Sequence, residues 1–258
     1  MTLLQAVISG IIQGITEFFP ISSSGHLVIL HKIFGLRDPQ VAFDVFLHVG
    51  TLMSVLVYFR ADIARLFTVD KRRGLFVIIG SIPAAIAGVF WKGRIERLFA
   101  VPKAVGIMLL LTGIWLFIAN ASMLRSQRAP AGAGERPLNW WRSLLVGLGQ
   151  SAALLPGISR SGATIGAAVI SGMGREEAFS FSFLLSIPAI AGATILKFGE
   201  IGSAVSGGGL SVFALGGVTS MLVGLAALKV LSNIIRRNKL YYFGVYCVLA
   251  GAAVILLV

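Results

Sequence analysis

The chain has 258 residues, 57% of them hydrophobic and only 12% charged, with a mean hydropathy of +0.91. Soluble domains keep their apolar share near one half or below, so the composition excludes one and points to a polytopic membrane protein. The net charge of +12 falls in short basic runs between apolar segments, the pattern of cytoplasmic loops, and no nucleic-acid partner is expected.

The N-terminal apolar run lacks a basic n-region and is interrupted by Gln13 and Glu17, so it is expected to be retained rather than cleaved as a signal peptide. Its central stretch, Gly10 to His26, reads GIIQGITEFFPISSSGH and sets Gln13, Glu17, Ser22, Ser23, Ser24 and His26 where a bilayer protein normally shows aliphatic residues. Polar groups at that depth carry a functional expectation. The pattern returns: Gly147 to Gly162 (GLGQSAALLPGISRSG) aligns without a gap on Gly10 to Gly25 at an offset of 147 − 10 = 137. The identical pairs are Gly10/Gly147, Gln13/Gln150, Ile21/Ile158, Ser22/Ser159, Ser24/Ser161 and Gly25/Gly162. Each stretch breaks near a proline after a short apolar run, passes through Ser and Gly, and resumes apolar. That describes two re-entrant helical hairpins, about 2–35 and 143–173, since irregular backbone at membrane depth is tolerated only under protein cover or beside a polar cavity.

Runs of about 20 apolar residues can cross the hydrocarbon core, and six are expected: 41–59, 74–92, 101–119, 178–197, 209–231 and 240–257. The fold class is therefore an all-α membrane protein of six transmembrane helices and two hairpins. Basic segments 60–73, 120–142 and 232–239 come out cytoplasmic, and 92–103, with Lys92, Arg94, Arg97 and Lys103, lies against the rule. Three spans between the hairpins make the halves, 1–128 and 137–258, inverted repeats of a single membrane domain, an arrangement that puts a binding site near the midplane. Ala129 to Glu135 reads as the linker between the halves and Ser206 to Gly209 as a loop.

Gln13 and Glu17 stand i, i+4 on one helix face beside Gly10 and Gly14, which would let another helix approach closely. Glu17 either serves chemistry or caps the loop after Pro20. The Ser22–Gly25 run can present hydroxyls and N–H groups at a helix start, a place that binds oxyanions, and His26 follows as a possible acid or base. Arg160, flanked by Ser159 and Ser161 with Thr164 beyond, requires an anion within the membrane: a phosphate, or Glu17 as an ion pair between hairpins. Asp44 and His48 form a second i, i+4 pair, read as support for His26, as metal ligands, or as an interfacial hydrogen-bonded pair. Gln150 echoes Gln13 in the second hairpin. Glu176 and Glu177 complement a helix N-terminus, while His31 and Cys247 read as packing residues, Cys247 being the one cysteine. Hydroxyls, a carboxylate, an imidazole and a buried arginine suit phosphoryl chemistry better than ion conduction.

The segments QGITEFFPISSSGH, FDVFLHVGTLMSVLVYFR, PGISRSGAT and REEAFSFSFLLSIPA resemble the signatures of the undecaprenyl-diphosphate phosphatases of the bacitracin-resistance protein family, over nearly the whole chain. The resemblance implies a multi-pass enzyme of the bacterial inner membrane that releases the terminal phosphate of undecaprenyl diphosphate, recycles the carrier for peptidoglycan synthesis, confers bacitracin resistance and opens its site to the periplasm. It implies Ser23 as nucleophile, Glu17 and His26 as its activators, and Arg160 as the catalytic cation. It further implies that Ser22, Ser24, Gly25, Ser159, Ser161, Thr164 and Gln13 hold the diphosphate. Many members carry a carboxylate where this chain has Gln13, so an Mg or Ca ion, if used, would rest on Glu17 and substrate oxygens. Two alternatives remain open at this point: a lipid-phosphate flippase using the same anion site, and a non-catalytic binder. Oligomeric state is not legible.

Overall fold

A computed structural model describes residues 1–36, 40–99, 101–128, 135–196 and 209–257, and all regular structure among them is α-helical. The first half holds α1 (Leu3–Thr16), α2 (Ser23–Ile33), α3 (Val41–Tyr58), α4 (Arg60–Phe67), α5 (Lys71–Phe90), α6 (Lys92–Phe99) and α7 (Pro102–Arg128). The second holds α8 (Trp140–Ala152), α9 (Arg160–Ile170), α10 (Arg175–Leu196), α11 (Leu210–Arg236) and α12 (Tyr241–Leu257).

Five of these, α3, α5, α7, α10 and α11, are long and apolar enough to cross a membrane. The sixth expected span, 240–257, forms α12, a helix of 17 residues that falls at the short end of the spanning range. The helices that carry the expected spans 101–119 and 209–231 run on past them, α7 to Arg128 and α11 to Arg236; basic residues continue a helix as well as apolar ones do. For the same reason segment 60–73 is not simply a loop: it contains α4 and the first turn of α5. Most of the linker at 129–135 and of the loop at 206–209 lies outside the described residues, as does Lys197 at the end of the span expected over 178–197.

The two repeating stretches fold as helix, turn, helix. The arms α1 and α8, of 14 and 13 residues, and α2 and α9, of 11 each, reach only about 16–21 Å at 1.5 Å per residue. The arms leave the helix before the prolines: α1 stops at Thr16, four residues ahead of Pro20, and α8 at Ala152, four ahead of Pro156.

Small residues let the helices meet backbone to backbone. Arm α1 lies on α11, where a Cβ on Gly10 would stand 2.6 Å from the Gly216 carbonyl oxygen and one on Gly14 2.8 Å from that of Ser220. Arm α8 lies on α5: a Cβ on Gly147 would collide with the Gly80 carbonyl, and the Ser143 hydroxyl donates to the carbonyl of Phe76. Each half thus packs its first hairpin arm against a long helix of the other half. Helix α12 runs along α7 through Gly106 and Gly113 facing Gly251 and Gly244.

At the end of the bundle where α10 begins, Glu177 pairs with Arg73 at 3.2 Å and Glu176 with Arg236 at 3.0 Å, as helix-start carboxylates free to seek cations. The Arg136 N–H donates to Gly172 at the same end, so basic residues of all three segments expected on one side of the membrane gather there. The opposite flank of α5 exposes Leu75, Ile78, Ile82, Ile86 and Val89 at helical spacing, an apolar stripe suited to lipid. The core is built on α10: Phe181, Phe183, Leu184 and Leu185 are all sealed against Phe18, Leu116, Val146 and Ile165.

Candidate active site

The turns of the two hairpins touch. A Cβ on Gly162 would lie 3.1 Å from Pro20 Cβ, and across that contact Arg160 Nη2 donates to Glu17 Oε1 at 2.7 Å. Glu17 follows the last residue of α1 and Arg160 opens α9, so both charges stand where the helical backbone ends. The Glu17 carboxylate is only 7% exposed. Its other oxygen, Oε2, accepts from Ser23 Oγ at 2.8 Å and from Gln13 Nε2 at 3.2 Å, one helical turn back. His48 Nε2 stands 3.5 Å from the same oxygen. The Arg160 guanidinium lies over the Phe183 ring, 5.2 Å from its centroid, which leaves its plane fixed. Its Nη1, buried, finds no acceptor among the described residues, and Gln13 Oε1 finds no donor among them. Buried polar atoms without partners cost about 1–3 kcal/mol each, and an arriving oxyanion would satisfy the guanidinium.

Of the expected site residues, Gln13, Glu17, Ser23, Arg160 and His48 therefore meet. Ser22 and Ser24 stay close by, their hydroxyls 3.4 Å apart. Ser22 carries φ 68°, a left-handed backbone that a non-glycine residue adopts at a cost; it swings the Ser22 carbonyl onto His26, whose Nδ1 lies 2.7 Å away. Gly25 sits beneath Val105, where a Cβ would be 3.3 Å from Cγ1. In the second turn, Ser159 accepts from the Gly162 N–H at 3.2 Å and bonds Ser161 at 3.2 Å, a regular N-cap.

Four expectations change. Among the described residues His26 hydrogen-bonds to neither Ser23 nor Glu17: its Nε2 lies 2.6 Å from Tyr246 Oη on α12. The support expected for His26 from Asp44 and His48 goes elsewhere: His48 faces Glu17, held by Nδ1 donating to the Asp44 carbonyl at 2.7 Å, and the Asp44 carboxylate faces His31 at 3.5 Å. Thr164 turns to Arg160's carbonyl and the Ser182 hydroxyl, and Gln150 donates to the Leu185 carbonyl, so both brace α9 and α8 against α10. Asp44 and His48 stand i, i+4 on α3, yet their side chains meet different neighbours, His31 and Glu17. Residues not singled out from the sequence also enter: Thr112, which donates to the Gly157 carbonyl at 3.0 Å and accepts from the Ser159 N–H at 3.3 Å, together with Ser182, Phe183 and Tyr246. Their signal was slight, a lone hydroxyl or ring inside an apolar span.

The arrangement suits one kind of chemistry. A hydroxyl hydrogen-bonded to a buried carboxylate can surrender its proton as the oxygen attacks, while a guanidinium with a free N–H stands ready for the charge that develops on a phosphoryl group. Glu17 offers a divalent ion one carboxylate, whose oxygens already take N–H or O–H donors, so such an ion would draw most of its ligands from substrate phosphate oxygens and water.

A family model described as bacitracin resistance protein BacA matches residues 6–253. The chain is 40% identical over 262 residues to an undecaprenyl-diphosphatase of Syntrophotalea carbinolica, covering 97% of each protein. A protein of the same name from Carboxydothermus hydrogenoformans is 40% identical, covering 100% of this chain and 98% of the relative. Another from Korarchaeum cryptofilum is 39% identical and covers 99% of both.

Proposed function

The chain belongs to the bacitracin resistance protein BacA family, and on that premise we propose that it hydrolyses undecaprenyl diphosphate to undecaprenyl phosphate and inorganic phosphate. The observation that carries the reading to this chain's own residues is the buried cluster in which Ser23 donates to Glu17 and Glu17 pairs with Arg160. Ser23 Oγ attacks the terminal phosphorus as its proton passes to Glu17 Oε2. The bond to the bridging oxygen breaks, and undecaprenyl phosphate leaves. Arg160 takes up the charge on the transferring phosphoryl oxygens. Glu17 passes the serine proton to the departing monophosphate, and a water then attacks the phosphorus on Ser23, giving its proton to the freed carboxylate, which returns it to Ser23 Oγ as inorganic phosphate leaves. Ser22, Ser24, Gly25, Ser159 and Ser161 line the two turns around that point.

The membrane arrangement is part of the same proposal. Helix α12 is the sixth span, both hairpins are re-entrant, and the halves are inverted repeats with their site open to the periplasmic face of a bacterial inner membrane. Supporting this are the reciprocal packing of α1 on α11 and α8 on α5, hairpin arms too short to cross, and the gathering of the basic segments at the opposite, cytoplasmic end. Recycling of the carrier serves cell-wall synthesis and lowers the diphosphate available to bacitracin.

Purified protein in detergent, given undecaprenyl diphosphate, is expected to release inorganic phosphate in step with undecaprenyl phosphate. Movement of the lipid in sealed vesicles without any phosphate release would replace hydrolysis with transport.

A further inference from the structure

His26 is held by groups that the reaction outlined above does not use. Its Nδ1 lies 2.7 Å from the Ser22 carbonyl oxygen, an atom that can only accept, so Nδ1 carries the hydrogen. In the neutral ring the lone pair is then on Nε2, 2.6 Å from Tyr246 Oη, and the tyrosine must be the donor. The two rings also stack, their planes 16° apart and their centroids at 5.7 Å. Two hydrogen bonds and a stack fix both the rotation and the tautomer of the imidazole.

The tyrosine is itself rigidly placed. Its neighbour Cys247 is buried and directs its thiol to the carbonyl of Pro20 at 3.4 Å, and Phe243, one turn earlier, packs on Phe19 with centroids 5.0 Å apart. Successive residues of α12 therefore clamp the turn of the first hairpin. Tyr246 remains 43% exposed.

We propose that Tyr246 is a positioning residue for His26, fixing the Nδ1–H tautomer and the orientation of the ring by donating its hydroxyl hydrogen to the Nε2 lone pair. The role uses 220 residues of chain separation to join the second hairpin arm to the last helix. It rests on the hydrolytic reading only for its activity readout.

The test is Tyr246→Phe, which keeps the stack and removes the donor, in protein labelled with ¹⁵N-histidine, with His26 assigned by its loss in His26→Gln. The wild-type spectrum should show Nδ1 protonated and Nε2 a hydrogen-bond acceptor. In Tyr246→Phe the Nε2 signal should move toward the unbonded value while Nδ1 stays. Because the tyrosine acts only through the histidine, Tyr246→Phe should lower kcat by no more than His26→Gln does, with KM within about twofold of wild type. In a His26→Gln background the same change should have no further effect, since the tyrosine acts through the histidine. An Nε2 signal unmoved by Tyr246→Phe, or a loss that multiplies with His26→Gln, overturns the proposal. Thermal midpoints of each variant separate these outcomes from misfolding, and a Tyr246→Phe protein that unfolds early is replaced by Tyr246→Leu, read by the same spectrum. Wild-type protein that releases no phosphate would sink the hydrolytic reading and leave the spectral test standing.

Discussion

Arg160 spends one arm of its guanidinium on Glu17, Nη2 to Oε1 at 2.7 Å, and holds the other, Nη1, buried without an acceptor among the described residues. A planar fork can keep its carboxylate and bind a phosphoryl oxygen together, whereas an ammonium is a point charge that must choose. Arg160→Lys is therefore expected to lower kcat/KM about 100-fold while keeping the fold. Turnover of undecaprenyl diphosphate within a few-fold of wild type would contradict this.

Glu17→Gln leaves the guanidinium without its counter-charge in a low-dielectric interior. Breaking a buried pair from one side costs about 3–5 kcal/mol, so the variant should unfold earlier in detergent as well as lose activity. Replacing both partners, Glu17→Leu with Arg160→Met, should restore much of the thermal midpoint and none of the activity. A single variant as stable as wild type would mean that the pair does not bear on stability.

Ser23→Ala removes the hydroxyl bonded to Glu17 and should cut turnover at least about 1,000-fold, as losing a nucleophile does. Ser22→Ala, whose hydroxyl lies 3.4 Å from that of Ser24, should cost far less. Acid quenching with ³²P in the terminal position is expected to trap label on wild-type protein and none on Ser23→Ala. Equal activity of the two alanine variants would move the nucleophile elsewhere.

Gly113→Ala sets a Cβ 2.9 Å from the Gly244 carbonyl oxygen and pushes α12 off α7. Overpacking of this kind costs about 1–3 kcal/mol. Because α12 also carries Tyr246, activity should fall along with the thermal midpoint. A midpoint unchanged in Gly113→Ala would show that the α7–α12 seam gives way freely.

The proposed topology puts segment 60–73 in the cytoplasm. Val69→Cys, at a site 77% exposed, in a Cys247→Ser background should react with an impermeant thiol reagent only after the cells are opened. Labelling in intact cells would invert the orientation.

Much of this was legible in the sequence for a physical reason: a membrane forbids unpaired polar groups, so Gln13, Glu17, Ser22–Ser24 and Arg160 stood out as soon as they appeared in apolar runs. The ion pair between Glu17 and Arg160 followed from the cost of isolating either charge. Partner choice was less legible. His26 and His48 each carry two nitrogens, and nothing local decides that one turns to Tyr246 and the other to Glu17; that depends on where α12 and α3 come to lie. Thr112 and Ser182 were invisible because a hydroxyl inside a span is usually satisfied by its own helix, as Ser81 is by Val77. Helix ends were missed at Arg128 and Arg236 because hydropathy stops at the membrane surface while the backbone continues.

The exchange of hairpin arms between halves also sets an order of events during synthesis. Gly10 and Gly14 on α1 have their packing surface at Gly216 and Ser220, and Glu17 its cation at Arg160, 143 residues downstream. At about 5–20 residues per second, the first hairpin waits roughly 10–40 s after it emerges before α11 has been made. Until α9 has been made its carboxylate has no cation, and until α11 has been made its glycine face has no cover. The N-terminal hairpin must therefore be the last piece to settle in the bilayer although it is the first to reach it, and a chain stopped before α11 should hold it at the membrane surface, open to proteases.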